Sequence, residues 1–203
     1  MTLAKALERP LPKPERNPAS YASARVLEAL LEGMLALEFL SRGYTRNAAG
    51  KAFQAWRALT AALLALEKDK IVERLDEKQR RWLLEKAVPR VPSTRLKALG
   101  NLVEEAGYPN YGPYTDRVLD LHDYQHHGPD PDMALSKYQS REEAARDTVY
   151  ILHRLTEIIE KRVRPRLEKD KLWSREHQEA LEMLQQQLTR IQQHKKGTRA
   201  IER

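Results

Sequence analysis

The chain has 203 residues, 41% hydrophobic and 32% charged, with a formal net charge of +7 and no cysteine. That length supports one domain with a real core, or one domain plus an appendage. Disulfides, thiolate metal sites and thiol nucleophiles are excluded, and no run approaches the ~20 apolar residues of a membrane span, so a soluble, cytoplasmic protein is expected.

The charge is uneven: from Lys161 to Arg203 there are 12 Lys and Arg against 6 Asp and Glu. A basic C-terminal part suits a polyanion such as RNA, and it equally suits a solvated helical face. Residues 1–18 carry Pro10, Pro12, Pro14 and Pro18 among charged side chains and read as an extended arm.

From residue 20 to 41, Leu27, Leu30, Leu31, Met34 and Leu37 recur at helical spacing, and Gly43 closes the helix. A second helix, 45–68, has Thr45 as its expected cap and Ala49, Ala52, Trp56, Leu59, Leu63 and Leu66 on one stripe; Ala48, Ala49, Gly50 and Ala52 leave room for a close neighbour. A short third helix, 76–88, is expected to be stopped by Pro89 and Pro92, and a fourth, 94–106, to begin on Ser93 and end at Gly107. Residues 108–116, with three tyrosines, read as a turn-rich loop. Thr115 is then the expected cap of a short helix to about 127, followed by a GPDPD loop.

The pair Ser140 and Glu143 forms a capping box opening a long helix, 141–164, which Pro165 bends or ends. A last helix starts after Ser174, with Leu181, Leu184, Leu188 and Ile191 at near-heptad spacing, and docks either on the bundle or on a second subunit. The expected fold is all-α, an antiparallel helical bundle with an extra C-terminal helix. Its parts are an arm (1–18), a bundle (19–168) and a basic C-terminal helix and tail (169–203).

Chemistry concentrates between Asp116 and Asp132, DRVLDLHDYQHHGPDPD, which holds three of the six histidines and five aspartates. Three readings fit. In the first, His122 and His126 share a helical face and Asp130 or Asp132 supplies a third metal ligand, although H-x-x-x-H without a glutamate is a weak signal. In the second, RNA is cleaved without metal: His122, with a pKa near neutrality, moves a proton, and Arg117 holds the charge gathering on phosphorus. Five residues along a helix turn about 140° past one revolution, so the two side chains do not share a face, and two chains around a twofold would have to build a joint cleft. In the third, the segment is structural, with Arg117 paired to Asp116 or Asp120.

The run RVLDLHDY, Arg117 to Tyr124, fits R-x4-H-x-Y. In an all-helical context after a long hairpin it resembles the HEPN superfamily, and with the tyrosine it is similar to the HepT toxins within it. With NAAGKAFQAWRALTAALLAL and LHDYQHHGPDPDMALSKYQSREEAA, the chain as a whole resembles the archaeal PaREP-type proteins grouped with HEPN domains, over roughly residues 20–164. The resemblance implies a HEPN-like bundle acting as a homodimer in RNA metabolism or defence, as a metal-independent endoribonuclease with no cofactor. Arg117 and His122 would be catalytic, Asp120, Asp123, His126 and His127 supporting, and Tyr124 a modification site for an antitoxin nucleotidyltransferase. Active members commonly carry a polar residue directly after the arginine, where this chain has Val118. The alternative is a non-catalytic scaffold that binds RNA, a nucleotide or a protein.

Overall fold

The computed structural model describes residue 5 and residues 8–201, with side chains up to Ile191 and at Gln193. The first residues of the expected arm and the side chains at the far end of the basic C-terminal part, 192 and 194–203, lie outside the described residues. Eight helices follow in order among the described residues: α1 (Pro18–Ser41), α2 (Thr45–Leu66), α3 (Lys68–Val72), α4 (Glu77–Trp82), α5 (Leu96–Glu105), α6 (Tyr111–His127), α7 (Arg141–Ile158) and α8 (Arg175–Ile201). No strand occurs among them. The all-helical expectation holds.

Local sequence explains most boundaries. Asn17 caps α1 by accepting from the Ser20 amide, with Pro18 in the first turn, where its missing N–H costs nothing. Gly43 ends α1 at φ +79°, a left-handed conformation that suits glycine. Asp76 with Gln79 and Ser140 with Glu143 form reciprocal capping boxes on α4 and α7.

Two prolines do not stop their helices. Pro89 and Pro165 each sit two residues past a five-residue π-helical turn, Leu83–Ala87 and Ile159–Val163. In these turns the Val88 amide reaches back to Leu83 and the Arg164 amide to Ile159. A helical proline lacks the N–H owed to the carbonyl four residues back and crowds it, and a widened turn just before it relieves the conflict. The α4 line therefore runs on through Val88–Arg90, and the α7 line through Arg164–Lys169.

The stretch expected to be a loop before Asp116 is largely helix: α6 starts at Tyr111. Its N-terminus is capped from outside, the Gly112 amide donating to Glu104 Oε2 of α5 at 2.7 Å. Pro113 falls in the first turn, where it is tolerated. Thr115 is thus no cap. It is buried mid-helix, donates to the Tyr111 carbonyl and accepts from Trp56 Nε1 at 2.9 Å. Thr45 and Ser93 are likewise not side-chain caps; Thr45 turns to α6, and Ser93 opens a single 3-10 turn.

The core is Leu- and Ala-rich, centred on α2, whose Trp56 stacks on Tyr111 with ring centroids 4.6 Å apart. Thr60 joins the Tyr111 hydroxyl at 2.8 Å, so every polar atom brought in by these aromatic rings has a partner. The small stripe of α2 does admit a neighbour: Gly50 lies against Gln125 of α6. At the other end of α6, a Cβ on Gly100 would stand 2.6 Å from Thr115 Oγ1.

The last helix docks on the bundle, with Leu181, Leu184 and Leu188 buried and Leu184 against Gly33 of α1. Its first turn is pinned by His177, 3% exposed, whose Nε2 meets the Ser23 carbonyl at 2.8 Å and whose Nδ1 meets Ser174. The described part of the arm lies beside this junction: Pro10, Leu11 and Pro12 line one wall of a cavity that Ser23 and His177 close.

Two predictions follow from this packing. Gly100→Ala should cost about 1–3 kcal/mol, read from chemical denaturation, because Thr115 is fixed by Trp56 and cannot retreat. Burial, opposed by the Ser23 carbonyl, holds the His177 pKa below its ordinary 6.5. The unfolded ring takes a proton below that value while the folded ring does not, so stability should fall as pH drops through about 6.5. His177→Asn should be less stable at pH 8 and show a shallower acid-side slope in melting temperature.

Candidate functional site

Helix α6 is wedged between α2, α5 and α7, and its faces receive different partners. Val118, Leu121 and Tyr124 point inward and are fully buried. Val118, directly after Arg117, is turned into the core, which is the physical reason an apolar side chain suits the position.

Arg117 faces α7. Its Nη1 meets Asp147 Oδ1 at 3.1 Å, and its guanidinium lies over the Tyr150 ring, 4.7 Å from the centroid. Tyr138 donates to the other Asp147 oxygen at 3.0 Å, which fixes the carboxylate that fixes the arginine. The side chain is still 43% exposed. The expected pairings with Asp116 and Asp120 are not made: Asp116 pairs with Lys97 at 3.0 Å, and Asp147, thirty positions on, takes the arginine.

His122 faces α2. It stacks on Phe53 with centroids 4.0 Å apart and planes 14° from parallel, while His126 meets it edge-on at 4.8 Å. Its Nδ1 is sealed from solvent without a well-formed hydrogen bond, as is Gln125 Oε1. Burial, followed by the charge of His126, holds the His122 pKa down, against smaller opposing effects of Asp123 and of the nearby Gln125 amide. His122 is thus disposed to be a free base at neutral pH. Arg117 and His122, five residues apart, are directed to different helices.

Of the supporting residues, Asp120 is half-buried, and burial, with Asp123 next, raises its carboxyl pKa against the pull of Lys137. Asp123, His126 and His127 are exposed, and His127 only tilts against His126 at 6.4 Å. Asp130 accepts from the Leu135 and Ser136 amides and so folds its own loop. Among the described residues, no three His, Asp or Glu side chains are grouped so as to hold a metal ion.

Tyr124 is 0% exposed; its hydroxyl shares a 2.8 Å hydrogen bond with Thr45, and Tyr138 packs edge-on at 5.6 Å. A nucleotidyl group could reach that oxygen only if the start of α2 left α6.

The residues that answer the motif, Phe53, Tyr138, Asp147 and Tyr150, were not legible as site residues. They lie on other elements at no fixed spacing from it. Of these only Phe53 had any signal in the sequence, the scarcity of phenylalanine, two in the chain, and that signal names no site.

Residues 24–149, from early α1 to midway along α7, match the model of the Archaeal PaREP1/PaREP8 family. The chain belongs to that family. No curated protein and no solved structure matches it. No helix among the described residues is long and apolar enough to cross a membrane.

Removing the Tyr124 hydroxyl tests the clamp: Tyr124→Phe should fold normally but lose about 1 kcal/mol of stability, and Thr45→Val should lose a similar amount without adding to it in the double variant.

Proposed function

We propose that this chain is a HEPN-type helical module of RNA metabolism that binds RNA or nucleotide and does not cut it from a single chain. One observation carries the reading. Arg117 is engaged by Asp147 and Tyr150 on α7 while His122 is stacked on Phe53 of α2, so the clamp and the proton carrier of the presumed chemistry face different surfaces. A general base and a phosphate clamp must approach the same ribose-phosphate link to within hydrogen-bond reach. The burial of Tyr124 also speaks against its serving as an open modification site for an antitoxin nucleotidyltransferase.

A second reading, a homodimeric metal-independent endoribonuclease of toxin type, is favoured by two details. Arg117 keeps nearly half its surface, and burial shifts the His122 pKa downward, toward the unprotonated form a general base requires. In that reading Arg117 of one chain and His122 of another share a cleft. Incubating the purified protein with single-stranded RNA in chelator separates the two. The binding reading expects retained RNA and no cleavage. Cleavage that drops at least a hundredfold in both His122→Ala and Arg117→Ala, about the range of one acid–base group, would replace it with the nuclease.

A further inference from the structure

An open cleft of about 530 Å³ lies where α1, α2 and α6 meet, lined by Phe39, Arg46, Asn47, Gly50, Lys51, Gln54 and Gln125. Its size falls within the range of small-molecule sites. Three carboxamides, Asn47, Gln54 and Gln125, converge with two cations and one aromatic ring, and no carboxylate lines the wall.

Each group is held by the fold in a way that leaves recognition chemistry available. Arg46 gives Nε and Nη2 to the Gln125 and His126 carbonyls at the end of α6, which leaves Nη1 outside both bonds. Lys51 is steadied by Glu32 at 2.8 Å and keeps a third of its side-chain surface. Gln54 spends its Oε1 on Arg57, so its amide nitrogen remains a donor. Gln125 Oε1 is out of solvent with its side chain turned to His122, which leaves the Gln125 amide nitrogen as the group offered to a ligand. Phe39 is only partly covered, with Tyr44 edge-on at 6.4 Å and itself 57% exposed.

From this set we infer that the cleft binds a nucleoside phosphate, free or as one unit of a single strand. The base lies on Phe39, the carboxamides read its hydrogen-bonding edge, and Lys51 with the free edge of Arg46 holds the phosphate. Gly50 makes the floor: a Cβ there would stand 2.6 Å from the Gln125 side chain and drive it from its place. The inference rests on the binding reading above and deepens it by giving that reading an address away from Arg117.

The test is titration of the full chain with adenosine 5′-monophosphate, with inorganic phosphate, and with a short fluorescein-labelled oligoadenylate, by calorimetry and anisotropy. Phe39→Ala and Asn47→Asp are the cleft variants; Arg81→Ala, an exposed arginine of α4, controls for lost charge, and melting curves confirm folding. Saturable binding of the mononucleotide, weakened about fivefold or more by both cleft variants and unchanged in Arg81→Ala, supports a free nucleotide. Binding of the oligoadenylate alone, with the same pattern, supports a strand. Strand binding indifferent to both cleft variants overturns the cleft and leaves RNA binding standing. No binding of the mononucleotide or the oligoadenylate overturns both.

Discussion

Arginines tie helix ends together throughout this bundle. The last carbonyls of a helix have no partner within it, and their partial negative charge attracts a cation. Here those carbonyls receive guanidinium groups from other elements. Arg141 takes Gly43 after α1, Arg166 takes Leu66 of α2, and Arg57 takes Arg90 and Val91 past α4. Arg74 and Arg162 serve the end of α5, and Arg46 serves that of α6. A planar fork can give two N–H groups to successive carbonyls, which an ammonium on a flexible stem does less well. Every such bond also crosses from one element to another, so helix capping and tertiary assembly are the same interaction.

This changes what the positive charge means. A high pI reads at first as a footprint for nucleic acid, and six of the arginines behind it are engaged on helix ends. The cation–π contacts of Arg25, Arg57, Arg95, Arg117, Arg154, Arg162 and Arg164 with nearby aromatic rings point the same way. These contacts leave each guanidinium its charge but fix where it stands, so local arrangement is added to bulk charge. The wedge position of α6 imposes a similar discipline: with one side buried on Val118, Leu121 and Tyr124, its polar residues divide between the α2 side and the α7 side. The offset of about 140° between Arg117 and His122 then becomes a separation between two surfaces.

The helices with strong periodicity, α1, α2 and α7, could be read from the chain to within a few residues, and the α7 capping box was legible as such. Failures have specific causes. Pro89 signals a stop and Pro165 a bend or a stop, and the π turns that carry the helix past them leave no trace in composition. Tyr111, Pro113 and Thr115 look like loop chemistry, because a tyrosine-rich segment with Pro and Gly lacks an apolar stripe. It is helical because Trp56 and Thr60 on α2 bury its polar groups with partners, and because Glu104 supplies the missing cap. The motif residues themselves were evident as types, while their partners, Asp147, Tyr150 and Phe53, were not.

By itself the sequence determined that the chain is helical, where most helices begin, and that its ionisable groups crowd into one segment. Those properties follow from spacing, capping and composition, which act over a few residues. Tertiary structure alone decided which way each of those groups faces, that the Tyr124 hydroxyl is enclosed, and that carboxamides from distant turns share a cleft with Phe39. Side-chain direction in a packed helix is set by whichever neighbours leave room and offer a hydrogen bond, and those neighbours are tens of residues away along the chain.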